Sequence, residues 1–541
     1  MSFSVTVATL QGTQSEAFKY HRDNAVRLGI ERDVIIDVDA LTPSDIQEII
    51  TSATEQKDTK AVRAAEAMLY VRSGDFSKPV PNFKAFLNIL ERFLKHNIID
   101  GWLYVEHDDG FVYPELVTRV AYDAGLGKIS NGQPTVTIHT CRYGLLDSSK
   151  KEKVGNSRAQ HVFYAQDVAR RKIESILSAK GIYKETPSLK EAYLEQSIRY
   201  RESKVGLFAH QFRLTGAAYR FEQNNWERRG VKLTARKVIH DLEPSNFGPM
   251  DNSVESSLFD DHPTANGIGE VPEHPLIRVY DLDAHEFLWA NADALTLHTY
   301  DKSLREKLVL PDTHRDLLDV LTTDLGAFVS DFVEGKSAGN VILCKGVPGV
   351  GKTLTAEVYA ELIEKPLLSI HSGTLGICAE EIDKNLKATF QMAKRWGVPM
   401  LLDEADVFVA SRGLDLNHNA VVATFLRSLE YYDGLLFMTT NRSNDIDDAI
   451  ISRCAAIINY ELPEKERTVA IWKVMAEQFK SPLSDELISK LLDAFPEIAP
   501  RDIKMLFRLA LRVTTTKGEP LDIELFRRCA MFRAIHMPEK V

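Results

Sequence analysis

The alternation of apolar and polar residues divides this chain into an N-terminal part with mixed patterns and a C-terminal part with a regular strand and helix order. Where apolar residues recur every three or four positions we expect a helix, and where they alternate we expect a strand. One of the clearest signals is the pair Asp109-Gly110, which predicts the turn of a hairpin. The elements predicted in the N-terminal part are helices at 82–97, 164–180 and 189–203, a hairpin at 102–113, and strands at 205–221 and 231–239.

The C-terminal part alternates short apolar runs with helical segments, which is typical of a parallel sheet covered by helices. Each run has the length of a buried strand and is too short to span a membrane. From residue 464 onward the pattern is helical, so a separate helical unit is expected after the sheet. The apolar runs that predict strands lie at 341–344, 367–370, 400–404 and 434–441.

A glycine-rich segment joins the first of these strands to the helix that follows. Its sequence, GVPGVGKT at residues 346–353, fits the G-x-x-x-x-G-K-[ST] pattern, in which backbone N–H groups surround phosphates. Lys352 is expected to reach the outer phosphates and Thr353 to hold Mg²⁺. The helix N-terminus would face the phosphates, and this setting between a strand and a helix argues against a chance match.

Two acidic residues, Asp403 and Glu404, end another of the apolar strands. In a parallel sheet that end lies beside the phosphate loop, so Asp403 is expected to order Mg²⁺ and its water. Glu404 is then placed to polarise the attacking water. Two adjacent carboxylates would be costly there without a cation, which disfavours the alternative that they merely cap a turn. Asn441 ends the next strand, where it can orient the water or contact the γ-phosphate.

The composition indicates a globular protein of several domains. The 541 residues are too many for one core, and 44% hydrophobic with 26% charged residues is ordinary for such proteins. The N-terminus lacks the basic and apolar regions of a secretory signal, and no apolar run is long enough to span a membrane, so a cytoplasmic location is expected. The five cysteines include no C-x-x-C pair, which indicates neither a disulfide framework nor a zinc site.

Charge is distributed unevenly around a net charge of −11. Residues 142–240 hold 21 Lys and Arg against 10 Asp and Glu. The basic residues and the aromatic residues of this stretch could together form a nucleic-acid surface. We favour the alternative that these aromatics are core residues, because no binding-motif spacing is present. Residues 241–275 hold 8 Asp and Glu and no Lys or Arg, which predicts a linker or mobile loop. The aromatic residues of the basic stretch include Phe163, Tyr164, Phe208, Phe212, Tyr219, Phe221 and Trp226.

The order and spacing of these motifs resemble the AAA family of the AAA+ ATPases. The phosphate loop, the acidic pair, Asn441 with Arg442, and the sequence DDAIISR at 447–453 follow one another as in that family. The resemblance covers about 305–535, and the segment 419–442 is particularly similar to a poorly characterised subgroup abundant in fungi. It implies an α/β P-loop fold with a parallel sheet between helices, a C-terminal helical lid, and hydrolysis of ATP with Mg²⁺.

The resemblance also implies roles for individual residues. Arg453 matches the arginine finger that reaches the nucleotide of an adjacent subunit, which implies a homo-oligomeric, hexameric ring. Arg501, in the sequence APRDIK at 499–504, matches the second sensor, with a surface arginine as the alternative. The implied catalytic residues are Lys352, Glu404, Asn441, Arg453 and Arg501. The implied ATP-binding residues are Gly346, Val347, Pro348, Gly349, Val350, Gly351, Lys352, Thr353, Leu354 and Asp403, of which Thr353 and Asp403 hold Mg²⁺.

Two departures from the family pattern bear on function. Ser452 stands where the family often has a second arginine beside the finger, and Arg442 is the alternative finger. Family unfoldases generally carry an aromatic–apolar–Gly loop after the second strand, whereas residues 372–378 read SGTLGIC and contain no aromatic. Leu375 or Ile377 could then serve as weaker grips, so threading of a polypeptide is possible but not implied.

The whole pattern predicts an ATP-driven motor that forms a ring and remodels a protein partner recruited by the N-terminal half. A nucleic-acid-dependent ATPase or loader that uses 142–240, and a non-motor switch that controls assembly, are the alternatives. The expected domains are an α+β domain at 1–140, a helical then β-rich basic region at 141–240, the acidic linker at 241–275, a β-hairpin at 276–304, the large α/β ATPase subdomain at 305–463 and the lid at 464–541.

Overall fold

The chain folds into an N-terminal helical unit, two antiparallel sheets with their helices, a parallel sheet flanked by helices, and a C-terminal helical unit. Among the helices described in this computed structural model, none has the length and apolar content needed to cross a membrane. The structure describes residues 2–27, 33–37, 41–73, 76–125, 132–146, 153–204, 206–220, 229–242, 253–260, 266–273, 275–323, 340–376, 378–533 and 535.

The first unit packs four helices beside a two-stranded antiparallel sheet. Its third helix begins at Pro43 because Thr42 and Asp45 form a capping box, which satisfies free N–H groups at the helix start. Its core includes the fully buried side chains of Phe18 and Ile46. The elements are β1 (Ser2–Val5), α1 (Val7–Gln11), α2 (Lys19–Arg27), β2 (Val34–Asp37), α3 (Pro43–Glu55) and α4 (Thr59–Ser73).

The second unit is a five-stranded antiparallel sheet with helices packed on it. The predicted helix near 82–97 and the predicted hairpin, whose turn residue Gly110 has a left-handed φ of 84°, are both confirmed. The single helix predicted at 164–180 is wrong, because Tyr164 ends a strand and two short helices follow. The elements are α5 (Phe83–Lys95), β3 (Trp102–Glu106), β4 (Val112–Asp123), β5 (Thr135–Leu146), β6 (Lys153–Tyr164), α6 (Ala165–Val168), α7 (Ile173–Ser178), β7 (Ile182–Lys184) and α8 (Pro187–Lys204), with the strands in the order β6-β5-β4-β3-β7.

The third unit contains a small closed barrel. Four antiparallel strands form its ring, which closes where Trp289 of the last strand pairs with Tyr219 of the first. The strands predicted near 205–221 and 231–239 are confirmed as the first two of this ring. The elements are β8 (Gln211–Arg220), β9 (Arg229–His240), β12 (Leu276–Asp281), β13 (Glu286–Asn291) and β14 (Leu295–Leu297), of which β8, β9, β12 and β13 form the ring and β14 pairs beside β8. Between β9 and β12 the chain forms a separate two-stranded sheet, β10 (Ser253–Glu255) with β11 (Ile268–Glu270).

Two boundaries predicted from composition differ from the structure. The boundary at residue 140 falls inside β5, because strand pairing continues from β4 through β5 to β6. The described part of the acidic segment 241–275 is not simply a linker, since it contains the antiparallel pair β10 and β11. It also places Leu258, Phe259 and Val271 in the core of the second unit, whose strands have the order β6-β5-β4-β3-β7. A few apolar residues are enough to anchor a segment whose composition is polar.

The fourth unit is a parallel five-stranded sheet between two layers of helices, as the sequence predicts. Successive residues of its first strand alternate between two cores, with Val341 and Leu343 on one side and Ile342 and Cys344 on the other. The elements are α9 (Leu304–Lys307), α10 (Asp312–Thr323), β15 (Asn340–Gly346), α11 (Lys352–Leu362), β16 (Leu368–His371), α12 (Ala379–Trp396), β17 (Met400–Asp403), α13 (Asp406–Val409), α14 (Leu416–Glu430), β18 (Leu435–Thr440), α15 (Asp448–Ile451) and β19 (Ala456–Tyr460), with the strands in the order β16-β17-β18-β15-β19.

The last unit is the predicted helical lid, packed around the fully buried side chain of Trp472. Its third helix begins at Pro500, whose missing N–H is not needed in a first helical turn, and ends at Gly518 in a left-handed conformation. The elements are α16 (Lys465–Gln478), α17 (Asp485–Ala494), α18 (Pro500–Lys517) and α19 (Ile523–Met531).

A buried carboxylate joins the barrel to the parallel-sheet unit. Asp241, directly after β9, is fully buried and accepts a hydrogen bond from Nε1 of Trp396 at 2.7 Å. Arg395 and Arg278 form ion pairs with the same carboxylate. Because α12 ends at Trp396, the barrel is attached to the C-terminal end of that helix.

Candidate functional site

The glycine-rich segment forms a loop between β15 and α11, and two of its glycines are required by its shape. Gly346 and Gly349 have left-handed φ values of 149° and 83°. A Cβ atom on Gly346 would lie 2.1 Å from the carbonyl oxygen of Tyr460, and one on Gly349 would lie 2.9 Å from Cβ of Arg501. Only glycine satisfies both the conformation and the space at these positions. The loop brings the N-terminus of α11 to the carboxyl edge of the sheet, where backbone N–H groups can bind phosphate.

Lys352 is the first residue of α11, and its side chain turns back into the loop. Its Nζ atom donates hydrogen bonds to the carbonyl oxygens of Gly346 and the next residue, at 2.7 and 2.8 Å, and to Oδ1 of Asn441 at 3.0 Å. Burial lowers the pKa of the Lys352 ammonium, and the carboxylates of Asp406 and Asp403 act in the opposite direction. These three hydrogen bonds hold the Lys352 Nζ atom at the place where the motif predicts phosphate.

Asp403 ends β17 beside the loop, as predicted. Its Oδ1 atom accepts hydrogen bonds from the hydroxyl groups of Thr353, at 3.0 Å, and Thr439. A carboxylate and a hydroxyl are hard oxygen ligands of the kind that Mg²⁺ takes beside nucleotide phosphates, so the two predicted magnesium residues fit that ion. Within the described ranges, no group of three or more His, Cys, Asp and Glu side chains could hold a metal ion by itself.

Glu404 follows in a left-handed conformation with φ of 53°, which is uncommon for a residue other than glycine. Its backbone N–H donates to Oγ1 of Thr439 at 3.0 Å, and its side chain is exposed and lines a cavity. The hydroxyl of Thr439 thus donates to Asp403 and accepts from Glu404. This one side chain therefore contacts both acidic residues at the end of the strand.

Asn441 follows β18 and is held on two sides. Its backbone N–H donates to Oδ1 of Asp406 at 2.9 Å, and its side-chain oxygen accepts from Lys352. The structure therefore places the predicted sensor in direct contact with the predicted phosphate-binding lysine.

The lid closes the site from the opposite side. Arg501, the second residue of α18, donates its backbone N–H to the carbonyl oxygen of Gly349 at 3.0 Å. The loop, the strand edge and the lid enclose a cavity of about 650 Å³, a size suited to a small ligand. The predicted residues that line it are Pro348, Gly349, Gly351, Lys352, Thr353, Leu354, Asp403, Glu404, Asn441 and Arg501. Gly346, Val347 and Val350 are not among the lining residues, and Val350 packs in the core below the loop.

The cavity also contains charged residues that the motifs did not indicate. Lys504 and Arg508 line it together with Arg501, from the same face of α18. Glu357 lines it from α11, and burial raises the pKa of its carboxyl, while the positive charges of Lys237 and Lys504 lower it. The spacing of three and seven residues from Arg501 is visible in the sequence and could have indicated the two additional cations.

Arg453 lies near the amino ends of the parallel strands, opposite the end that holds the phosphate loop. The nearby Ala455 donates its N–H to the carbonyl oxygen of Val341 at 2.8 Å, near the start of β15, whereas the phosphate loop follows the end of β15. The Arg453 guanidinium donates to the carbonyl oxygen of Ala449 at 3.1 Å and lies 3.9 Å from the Glu430 carboxylate, with 34% of the side chain exposed. Arg453 does not line the cavity of its own chain.

The segment after β16 forms one 3₁₀ turn at Ser372–Thr374. The prediction that Leu375 could grip a polypeptide is wrong, because its side chain is only 2% exposed and packs in the core of the parallel sheet. Its carbonyl oxygen accepts a hydrogen bond from Nδ2 of Asn385 at 3.0 Å. The other predicted grip, Ile377, lies outside the described residues.

The basic stretch shows little of a nucleic-acid surface in its described part. Phe163, Phe212 and Tyr219 are buried in cores and cannot stack on bases. Phe221 and Trp226 lie outside the described residues. Several of the basic side chains form ion pairs within the protein, namely Arg142 with Glu115, Lys190 with Asp100, Arg199 with Asp293, Arg236 with Asp281 and Lys237 with Glu361.

Comparisons with known proteins agree with this geometry. Residues 342–462 match the family described as ATPase family associated with various cellular activities (AAA). Similar proteins include the uncharacterized AAA family ATPase y4kL of Sinorhizobium fredii, 29% identical over 139 residues, and spastin of Danio rerio, 27% identical over 161 residues. Another is the ribosome biogenesis ATPase RIX7 of Saccharomyces cerevisiae, 32% identical over 167 residues.

The similarity is confined to part of each protein. The three matches cover 24%, 28% and 28% of this chain and 41%, 28% and 20% of the relatives, so the chain spans less than half the length of each. One chain of the solved HORMA:CdnC:Trip13 complex of Escherichia coli MS115-1 has a TM-score of 0.35 and 18% identity, covering 43% of this chain and 92% of that one. A likeness of that strength carries no conclusion about function. The family match identifies an AAA ATPase domain at 342–462, which implies ATP hydrolysis.

Proposed function

We propose that this chain is a Mg·ATP-hydrolysing AAA motor that works as a homo-oligomeric, hexameric ring and remodels a protein partner recruited by its N-terminal half. One observation carries the proposal. The phosphate loop, the strand edge and the lid converge on a single cavity, which Lys352, Glu404 and Arg501 all line. Such a cavity suits a nucleotide whose phosphates lie at the loop.

The residues around the cavity divide the work of hydrolysis. Lys352 and the N–H groups at the start of α11 bind the phosphates of ATP. Glu404 polarises the attacking water from the cavity side, and Asn441 orients that water against the γ-phosphate. Thr353 and Asp403 hold magnesium, which when bound with ATP supplies positive charge to the phosphate oxygens.

The position of Arg453 supports a ring. Its guanidinium is partly exposed near the amino ends of the strands, and Arg453 does not line the cavity of its own chain. If Arg453 is the arginine finger, it therefore acts on a nucleotide held by another copy of the chain. The alternative finger, Arg442, forms an ion pair with Asp445 at 2.7 Å.

Mixing two inactive variants tests whether the site is shared between copies. Lys352→Ala removes phosphate binding in its own cavity, and Arg453→Ala removes the finger, so each alone is expected to lose ATPase activity. In an equal mixture, a Lys352→Ala copy lends its intact finger to an Arg453→Ala neighbour, and about a quarter of the sites are complete. Recovered activity supports the ring, and a mixture as inactive as its components contradicts it. Arg442→Ala in place of Arg453→Ala is the matched control.

A second candidate is a non-motor switch in which ATP controls assembly. It is favoured by residues 372–378, which contain no aromatic and in which Leu375 is buried, so an exposed apolar grip is lacking among the described residues there. ATP-dependent unfolding of a tagged fluorescent protein supports the motor. Assembly that changes with ATP while the tagged protein stays folded supports the switch.

A further inference from the structure

Asp406 connects the acidic strand end to the sensor strand. It begins α13, three residues after Asp403, and its side chain is half-buried. One of its oxygens, Oδ1, accepts two hydrogen bonds, from the backbone N–H of Asn441 at 2.9 Å and from the hydroxyl of Thr440. The carboxylate therefore ties the end of β18 to the turn that follows β17.

These bonds meet a specific need at the end of the sheet. The pairing of β18 with β15 ends at Thr440, opposite Lys345, so Asn441 is the first residue beyond the ladder. The Asn441 N–H lies beyond this strand pairing, and the Asp406 carboxylate accepts its hydrogen bond. The other end of Asn441 faces the site, because its side-chain oxygen accepts a hydrogen bond from Lys352 at 3.0 Å.

We infer that Asp406 is a positioning residue for ATP hydrolysis, which acts by holding the backbone of Asn441 so that its amide group faces the phosphates. Asp406 is not among the residues that line the cavity, so it acts through Asn441 and does not touch the nucleotide. A displacement of about 1 Å in a group that orients a reacting water costs about 100-fold in rate. This inference rests on the proposed ATPase activity.

A different role for the same carboxylate is electrostatic. Burial lowers the pKa of Lys352, and the negative charge of Asp406 opposes that shift. The two roles require different features of the side chain, since the electrostatic role needs the charge and the positioning role needs only the acceptor oxygen. Asp406→Asn separates them, because asparagine keeps an oxygen acceptor of the same size without the charge.

The first test is the steady-state ATPase activity of the full chain. Asp406→Ala is expected to lower kcat about 10- to 100-fold while KM for ATP changes less than about 3-fold, because an interaction of the transition state is lost. Asp406→Asn is expected to restore kcat to within about 5-fold of the unmodified protein. A kcat for Asp406→Ala within about 3-fold of the unmodified protein, or an Asp406→Asn protein as slow as Asp406→Ala, overturns the inference.

The second test asks whether Asp406 acts through Asn441. If it does, Asp406→Ala combined with Asn441→Ala is no slower than Asn441→Ala alone, whereas multiplying losses overturn the inference. Asp522→Ala is the matched control, since Asp522 accepts the N–H of Leu525 at 2.9 Å at the start of a lid helix and does not line the cavity. Its kcat is expected to be unchanged.

A third variant keeps the test decisive if Asp406→Ala does not fold. Thr440→Val removes the hydroxyl that donates to the same Asp406 oxygen and preserves the shape of the side chain. It is expected to lower kcat about 2- to 5-fold in the unmodified protein and not to lower it further in Asn441→Ala. An equal fall in both backgrounds overturns the inference. If the unmodified chain does not hydrolyse ATP, the proposed function itself fails, which is a distinct result.

Discussion

Arg501 of the lid and Gly349 of the phosphate loop are joined by a backbone hydrogen bond of 3.0 Å. The two residues are also in close contact, because a Cβ atom on Gly349 would lie 2.9 Å from Cβ of Arg501. The lid thus rests on the loop at a residue that has no side chain. We therefore expect a shift of the loop on binding phosphate to move the start of α18 as well.

Gly349→Ala is expected to separate the lid from the loop. The added methyl group needs the space that Arg501 occupies, and alanine is strained by about 1–3 kcal/mol at the observed φ of 83°. We expect the affinity for a fluorescent ATP analogue to fall at least about 10-fold, measured by titration. Gly413→Ala is the control, since a Cβ atom there meets nothing within 4 Å. Equal affinities of the two variants would contradict the contact.

Removing the Asp241 carboxylate is expected to detach the barrel from the parallel-sheet unit. Asp241→Ala leaves the arginines around it without their buried partner, and because Arg395 is partly exposed we expect a loss of about 3 kcal/mol in the free energy of unfolding. Urea unfolding followed by tryptophan fluorescence measures it, with limited proteolysis to detect separation of the units. Lys394→Ala breaks a more exposed ion pair with Asp433 and should cost less than about 1 kcal/mol. Similar losses for both would exclude the anchoring role.

The barrel is expected to lose stability in mild acid because of His240. Burial lowers the pKa of His240 from 6.5 to about 4, and the nearby His210 acts in the same direction. Below pH 6.5 the unfolded chain binds a proton that the folded chain does not, so the free energy of unfolding falls as pH decreases toward 4. The expected loss between pH 7 and pH 5 is about 2 kcal/mol.

His240→Phe removes this group and keeps a ring beside Phe212, whose ring centre lies 6.0 Å away. The variant should lose less stability than the unmodified protein between pH 7 and pH 5, measured by thermal unfolding at both pH values. An unchanged pH dependence would show that His240 is not the group responsible.

The parts of the site that the sequence predicted are those set by local order along the chain. The GVPGVGKT segment between a strand and a helix predicted where Lys352 and Thr353 would lie, and parallel strands predicted that Asp403 would end beside them. The contact of Thr353 with Asp403 at 3.0 Å confirms that step. The lid was predictable as helices, because amphipathic spacing is also local.

The remaining features depend on contacts between distant parts of the chain. Asp241 and Trp396 are 155 positions apart, so the local composition around Asp241 does not reveal its buried partner. The acidic residues there therefore predicted a linker or mobile loop. Closure of the barrel through Trp289 and Tyr219 cannot be read from strand patterns, which fix the face of a residue and not its partner strand. The burial of Leu375 was missed for a related reason, since one leucine in a loop carries no periodicity.

The most direct measurement of the central claim is ATP binding and turnover by Glu404→Gln. The substitution keeps the size of the side chain and removes the carboxylate that we propose polarises water, while Lys352, Thr353 and Asp403 remain. We expect ATP affinity within about 3-fold of the unmodified protein and turnover lower by at least about 100-fold, the contribution typical of acid–base catalysis. Undiminished turnover by Glu404→Gln would contradict the assignment of this cavity as the site of hydrolysis.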